Sequence, residues 1–179
     1  NLQAGVREVV ETYGSKVPDN RHDISKLKGV GPYTAGAILS IAYGKPEHAV
    51  DGNVMRVLSR VLNIDADIAL PKTKKIFEEA VTALIDPAHT SEFNQGLMEL
   101  GALICTPTSP KCLLCPVRDY CTAFHEGNPA SLPVKSKKVK TKNLDYDVLV
   151  IRDAEGRFLM EKRAEEGLLA NMWQFVMIE

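Results

Sequence analysis

The placement of the cysteines is the feature that most constrains how this chain can fold. All four cysteines of the 179-residue chain lie within 17 residues, spaced C-x6-C-x2-C-x5-C: Cys105, Cys112, Cys115 and Cys121. Thiols this close in sequence can converge on one centre, and the rest of the chain contains no cysteine. We therefore expect a loop that is held either by disulfides or by a metal centre.

Three chemistries fit four clustered thiols. Two disulfides need an oxidising compartment, which no feature of the sequence supports. A zinc ion accepts four thiolates, but its usual signature has two C-x2-C pairs, whereas this chain has one. A [4Fe–4S] cluster also takes four thiolates and tolerates uneven spacing. Ligand chemistry alone leaves zinc and the iron–sulfur cluster open.

Hydrophobic periodicity divides the chain into three parts. Residues 1–125 carry the pattern of about six helices, with no strand predicted before residue 144. Residues 126–143 contain prolines, Gly127 and a run with five lysines, which predicts a basic linker. From residue 144 the pattern alternates, and it predicts two strands around a turn at residues 153–156. The expected fold class is mostly α, followed by the start of a smaller α/β domain in residues 144–179.

Composition excludes several other classes of protein. The chain is 45% hydrophobic and 25% charged, and its net charge is −1, which argues against an indiscriminate polyanion binder and a disordered acidic tail. No apolar run approaches the about 18 residues of a transmembrane helix, so no membrane partner is expected. The chain lacks an initiator methionine and ends without a stop signal, so we interpret it as a fragment cut at both ends.

Two glycines bracket a tight turn between predicted helices, in the string LKGVGPYT of residues 27–34. Gly29 and Gly31 can adopt positive φ and let another backbone approach closely. The N–H groups at the start of the next helix then form a phosphate site. A simple helix–helix connector explains the turn as well.

A carboxylate stands before the following helix, in the string AVDGNVMRV of residues 49–57. Asp51 or Asn53 can act only as the N-cap of that helix. The same position keeps a carboxylate ionised, because the helix dipole favours negative charge there. An ionised carboxylate can also stabilise a cationic sugar transition state. The residues alone leave both roles open.

In this order, the hairpin, the V-D-G-N-V-x-R string and the four-cysteine loop resemble the endonuclease III superfamily of helix–hairpin–helix DNA glycosylases. That resemblance implies the glycosylase fold, a structural [4Fe–4S] cluster on the four cysteines and a monovalent cation at the hairpin. It also implies phosphate contacts to double-stranded DNA from six residues: Lys28, Gly29, Val30, Gly31, Lys111 and Arg118.

The strings VGPYTAGAI and AVDGNVMRVLSR and the tail GLLANMWQF are similar to adenine DNA glycosylases, the MutY family. The resemblance implies hydrolytic removal of adenine mispaired with 8-oxoguanine or guanine, by a monomer in the cytoplasm at the bacterial nucleoid. It implies that Asp51 is the catalytic carboxylate, that Asn53 supports it, and that Tyr33 bonds it or shields the sugar. Residues 144–179 match the start of the family's MutT-like (Nudix) domain. The family's general-acid glutamate has no counterpart here, so this fragment alone is expected to be inactive.

Two other functions stay open. A bifunctional glycosylase with lyase activity needs a lysine two residues after the second hairpin glycine, where this chain has Tyr33, and a phenol cannot form an imine. Lys26 and Lys28 lie at other positions. A DNA-binding module without catalysis would use the hairpin and would need neither Asp51 nor the cysteine loop.

Overall fold

The computed structural model describes residues 1–136 and 143–178, which fall into two compact units, Asn1–Lys137 and Lys138–Glu179. The division falls within the predicted linker of residues 126–143, and the lysines at positions 137–142 lie outside the described residues. Among the described residues, the structure contains no helix with the length and apolar character of a membrane span.

The first unit is helical, as its periodicity predicts. Its described residues contain seven α-helices: α1 (Leu2–Thr12), α2 (Arg21–Ile24), α3 (Pro32–Ile41), α4 (Gly52–Val61), α5 (Thr73–Leu84), α6 (Thr90–Glu99) and α7 (Thr122–His125). Helix α6 continues directly into a π-helical turn, Leu100–Ile104. Short 3-10 turns occupy Cys112–Leu114, Arg118–Tyr120 and Pro129–Ser131. The mostly α fold class is confirmed.

Two apolar clusters form most of the core of this unit. The first joins α1 to α2 and α3: Val9, Ile24, Leu27, Ala35 and Leu39. The second packs α4 against α5: Val50, Val54, Leu58, Phe77 and Val81. Val54 and Leu58 follow the helical spacing seen in the sequence and are 1% and 2% exposed. The apolar face of α4 is thus buried, and it fixes the helix whose N-terminus carries Asp51.

The described residues of the second unit form two small antiparallel sheets. Strand β1 (Asp147–Leu149) pairs with β4 (Val176–Ile178), and β2 (Glu161–Lys162) pairs with β3 (Trp173–Gln174). The predicted turn is present, since the N–H of Asp153 donates to the carbonyl of Arg157 at 3.0 Å. The strand before this turn nevertheless pairs mainly with β4, a distant partner that alternation along the sequence does not reveal.

Gly36 on α3 lies against the segment that leads to Asp51. A β-carbon at this position would be only 1.9 Å from the carbonyl oxygen of His48. Arg21 reinforces the contact, because its Nη2 donates to the same oxygen at 3.0 Å and its Nε donates to Glu47 Oε2 at 2.5 Å. Helix α3 therefore sets the position of the chain just before Asp51.

We expect Gly36→Ala to destabilise the helical unit by about 2 kcal/mol or more, because overpacking against a backbone atom cannot be relieved by a side-chain rotation. Gly96→Ala is the matched control: a β-carbon at this helical position meets nothing within 4 Å. Alanine there should stabilise α6 by up to about 1 kcal/mol. Urea unfolding of both variants measures the difference. Equal stabilities would contradict the packing described at Gly36.

Candidate functional site

Asp51 caps α4 and also lines a cavity. Its Oδ1 accepts a hydrogen bond from the backbone N–H of Val54 at 2.8 Å, and its Oδ2 accepts one from Asn53 Nδ2 at 3.1 Å. The residue is partly exposed and borders a cavity with an empty volume of about 690 Å³. The capping role proposed from the sequence is confirmed. It leaves the carboxylate fixed by two donors at the edge of an open space.

Arg56 extends these hydrogen bonds to the cysteine loop. Its Nη2 donates to Asn53 Oδ1 at 3.0 Å and to the carbonyl of Gly101 at 2.7 Å, and its Nε donates to the carbonyl of Cys105 at 2.8 Å. The residue is 7% exposed. Asn53, which the resemblance assigns as the support of Asp51, is therefore itself oriented by Arg56. Arg56 was not predicted from the sequence.

The π-helical turn places the carbonyl groups that Arg56 binds. The N–H of Cys105 donates to the carbonyl of Leu100 at 2.7 Å, which closes the wide turn. A β-carbon on Gly101 would lie 3.1 Å from Asn53 Cβ, so the glycine allows the turn to approach Asn53 closely. Turns of this kind occur frequently at functional sites. Here the turn connects the first cysteine to the surroundings of Asp51.

Tyr33 lies in the first turn of α3 and interacts with Asp51 through charge. Burial raises the pKa of Tyr33, and the negative charge of Asp51 raises it further. The hydroxyl group of Tyr33 donates to Met98 Sδ at 3.4 Å. No hydrogen bond joins Tyr33 and Asp51 in the described part of the chain. The charge of Asp51 thus reaches Tyr33, while the hydroxyl group of Tyr33 bonds to Met98.

The hairpin is supported by a residue of α1 that was not predicted from the sequence. Glu8 Oε2 accepts a hydrogen bond from the backbone N–H of Lys28 at 3.1 Å. Gly29 has φ +90°, as expected, but Gly31 has φ −87° and ψ 175°. Gly31 does not use the positive φ that glycine permits, because this residue is the N-cap of α3 and N-caps are extended.

The N-terminus of α3 is open for a ligand. No side chain caps it, and a β-carbon on Gly31 would meet nothing within 4 Å. Pro32 occupies the first helical position and has no N–H, so the next amide groups are the available donors. Val30 packs against the apolar cluster of α1 to α3 and fixes the tip of the hairpin.

The four cysteines line one cavity of about 370 Å³ empty volume, and none of them is in a disulfide. Burial raises the pKa of Cys112 and of Cys115, and the neighbouring thiols Cys105 and Cys121 raise both further. Within residues 1–136 and 143–178, no three His, Cys, Asp or Glu side chains converge closely enough for a single metal ion. Zinc needs sulfur at about 2.3 Å, whereas in a [4Fe–4S] cluster each thiolate binds a different iron. Four thiols around one cavity suit the four thiolate ligands of such a cluster.

Arg60 supplies a second sign that an anionic group belongs in this cavity. It is 2% exposed, and its Nη1 donates to Cys105 Sγ at 3.3 Å and to the carbonyl of Thr106 at 2.7 Å. Its Nε and Nη2 donate to the carbonyls of Leu132 and Pro107 at 2.9 and 3.2 Å. No carboxylate of the described residues pairs with it. A thiolate-ligated cluster supplies the countercharge that a buried guanidinium needs.

The two cations predicted on the loop have different surroundings. Lys111 is exposed and forms no ion pair within the described residues. Arg118 Nε donates to Asp119 Oδ1 at 2.8 Å, and its guanidinium carbon lies 6.0 Å from the centre of the Phe124 ring. Part of the charge of Arg118 is therefore neutralised, and Lys111 offers the more available charge. Their contact with DNA stays a prediction.

The hairpin and the four-cysteine loop both match known protein families. Residues 12–41 match the helix-hairpin-helix motif, and residues 105–121 match the iron-sulfur binding domain of endonuclease III. A thermostable thymine-DNA glycosylase superposes with a TM-score of 0.61 at 34% identity, covering 70% of this chain and 57% of that one. A trapped endonuclease III–DNA covalent intermediate gives 0.57 at 27% identity with the same coverage. The chain belongs to the endonuclease III superfamily of helix–hairpin–helix DNA glycosylases.

The curated relatives of the chain indicate its place within this superfamily. Adenine DNA glycosylase of Schizosaccharomyces pombe is 35% identical over 99% of this chain and 47% of its own length. The Arabidopsis thaliana and Homo sapiens proteins of the same name are 40% and 47% identical over 88% and 68% of this chain, and 27% and 22% of their own lengths. Within the superfamily, the chain belongs with the adenine DNA glycosylases, and it spans less than half the length of these relatives.

We expect the purified protein to be yellow-brown, to absorb at about 400 nm and to contain about four iron atoms, as four thiolate ligands imply. Cys115→Ala should lose this absorbance and iron. Leu113→Ala is the control on the same loop, because Leu113 is 78% exposed and is not a ligand. Metal analysis by mass spectrometry decides the outcome. A colourless protein with one zinc ion per chain would refute the cluster.

Proposed function

We propose that this chain is part of an adenine DNA glycosylase that hydrolyses the N-glycosidic bond of adenine opposite 8-oxoguanine or guanine. One observation carries the proposal: Asp51 is held by two hydrogen bonds beside an open cavity, in a chain whose relatives bear that name. Residues 1–125 would supply the catalytic domain. Residues 144–179 would begin a MutT-like domain.

The proposed reaction needs a negative charge beside the sugar. As the bond to adenine breaks, positive charge develops on the deoxyribose, and a fixed carboxylate stabilises it without having to reorganise. Asp51 has this role in the proposal, with the hydrogen bonds from Val54 and Asn53 holding it in place. The proton that helps adenine to leave is assigned, by the family resemblance, to a glutamate outside this chain. Water completes the substitution.

The residue at position 33 supports hydrolysis without strand cleavage. A lyase forms an imine between an amine and the sugar, and the phenol of Tyr33 cannot do so. Tyr33 instead lies within electrostatic reach of Asp51, where it can shield the sugar. Trapping with borohydride on DNA distinguishes the two enzymes, because only a lyase becomes covalently attached.

DNA would be held through its phosphates by the hairpin and the cysteine loop. The amides beside Gly31 at the open N-terminus of α3 are suited to a phosphate, because the helix dipole adds to their hydrogen bonds. A monovalent cation on the carbonyls of the hairpin would add charge, and Lys111 would add a further contact. We propose that the protein acts as a monomer in the cytoplasm, and that its target is double-stranded DNA with an adenine mispair. The [4Fe–4S] cluster would order the loop.

We expect Gly31→Val to weaken binding to every DNA sequence by about tenfold or more, since hydrogen bonds to a charged group contribute about 1.5–3 kcal/mol. The backbone at φ −87° accepts valine, and the added methyl groups occupy the phosphate position. Fluorescence anisotropy with matched and mispaired duplexes measures the effect. Gly31→Ala should give a smaller loss, and unfolding midpoints should not change. Unaltered DNA affinity in a folded Gly31→Val protein would make the turn a simple connector.

We expect Asp51→Asn, in the full-length protein, to slow adenine release by about 10²–10³, the usual result of removing one well-placed electrostatic stabiliser. The amide oxygen can still cap α4, so the free energy of unfolding should change by less than about 1 kcal/mol. Single-turnover release from an adenine·8-oxoguanine duplex measures the rate. A non-catalytic module would bind DNA and would release no adenine, whether residue 51 is aspartate or asparagine. A variant as fast as its parent would leave Asp51 only a capping role.

A further inference from the structure

The segment after α7 forms a wall of the Asp51 cavity. The cavity is bordered on the α4 side by Asp51 and Arg56, and also by Pro133 and Lys135, which are about eighty residues further along the chain. We call residues 132–136 the strap. All of these residues belong to the first unit. The strap thus brings a lysine to the space that the candidate catalytic carboxylate faces.

The strap is anchored at its first residue. Leu132 is 6% exposed and packs with Cys121 and Ala123 in a third apolar cluster. Its carbonyl oxygen accepts the hydrogen bond from Arg60 Nε at 2.9 Å. The same buried guanidinium that contacts the cysteine loop therefore also fixes the start of the strap.

The strap is anchored again on both sides of Lys135. The carbonyl of Val134 accepts a hydrogen bond from the N–H of Ile68 at 3.0 Å, and the N–H of Ser136 donates to Asp67 Oδ1 at 3.2 Å. With its two neighbours bonded to the segment between α4 and α5, the backbone of Lys135 has a defined position. The side chain therefore starts from a fixed point at the border of the cavity.

Lys135 carries an available positive charge at this position. It is exposed, and it forms no ion pair among residues 1–136 and 143–178. Arg56, the other cation of the cavity, uses its guanidinium on two carbonyls and Asn53. Asp51 repels phosphate groups, so a DNA strand that enters the cavity needs a cation close by to offset that repulsion.

We propose that Lys135 binds a backbone phosphate of the DNA strand that carries the target nucleotide, adjacent to that nucleotide. The proposal rests on the proposed DNA-glycosylase function and adds a binding residue from outside the hairpin and the cysteine loop. A phosphate contact of this kind fixes the register of the strand without selecting a base. Lys135 would hold the sugar of the target nucleotide near Asp51 by holding its neighbouring phosphate.

The test compares Lys135→Ala with the parent in the full-length protein. The probe is a duplex with a tetrahydrofuran abasic analogue opposite 8-oxoguanine, which is bound and not cleaved. Loss of one phosphate contact should reduce the slope of log K against log salt by about 0.9, so the affinity ratio of parent to variant should change about 3.5-fold between about 50 and 200 mM salt. Lys135→Arg should keep the slope of the parent.

The control removes a lysine elsewhere in the same unit. Lys75 on α5 is 80% exposed, pairs with Glu79 at 3.8 Å, and does not border the Asp51 cavity. Lys75→Ala changes the net charge by the same amount and should leave the salt slope unchanged. If it lowers the slope as much as Lys135→Ala does, the effect comes from net charge and the proposal is overturned.

Neutral methylphosphonate linkages, placed one at a time around the analogue, locate the contact. One linkage beside the analogue should weaken the parent and have no further effect on Lys135→Ala, because both changes remove the same interaction. Additive losses at every linkage would overturn the proposal, and so would an unchanged salt slope with slower adenine release. If the parent itself neither binds the duplex nor releases adenine, the proposed function fails, which is a different result.

Discussion

Two buried guanidinium groups on α4 connect the cysteine loop to the surroundings of Asp51. Arg56 and Arg60 are four residues apart and therefore lie on the same side of the helix. Together they bind Cys105 through its carbonyl and its sulfur, and they bind Gly101 and Leu132. Buried charges are tolerated only when hydrogen bonds and countercharge compensate them. The loop must therefore be ordered for α4 to pack as it does, and the position of Asp51 depends on that packing.

Because of this dependence, the iron–sulfur cluster would have a structural role that acts through Arg60. A cluster on the four thiols would place negative charge beside Arg60, and Arg60 also holds the start of the strap. Loss of the cluster would leave Arg60 buried beside neutral thiols. The expected result is disorder in both the loop and the strap. This disorder would disturb both walls of the Asp51 cavity, even if no cysteine ligand of the cluster contacted DNA.

Local motifs could be predicted from the sequence, because each is determined by neighbouring residues. The spacing of the cysteines, the positive φ at Gly29 and the capping position of Asp51 are of this kind. The roles of Arg56 and Arg60 could not be predicted, since all their partners except Asn53 are 45 to 72 residues away. One signal was present: both lie next to the apolar stripe of an amphipathic helix, where a buried cation needs an explanation. The pairing of β1 with β4 was hidden for the same reason.

At Gly31 the sequence allows a positive φ that the structure does not use. What matters at this position is the lack of a side chain, because it leaves the space beside the helix N-terminus open. At Asp51 the capping role and the proposed catalytic role do not exclude each other. The hydrogen bonds that terminate α4 are the same bonds that orient the carboxylate, so one residue can satisfy both demands.

The π-helical turn has a consequence for how this fold tolerates changes in length. In a regular α-helix the N–H of Cys105 would bond to the carbonyl of Gly101, four residues earlier. Here it bonds to the carbonyl of Leu100, five residues earlier, and the carbonyl of Gly101 is left for Arg56. Deleting a single residue from Leu100–Ile104 would restore the α-helical pattern, which occupies that carbonyl within the helix. The change would act on Asn53 through Arg56, although neither residue is altered.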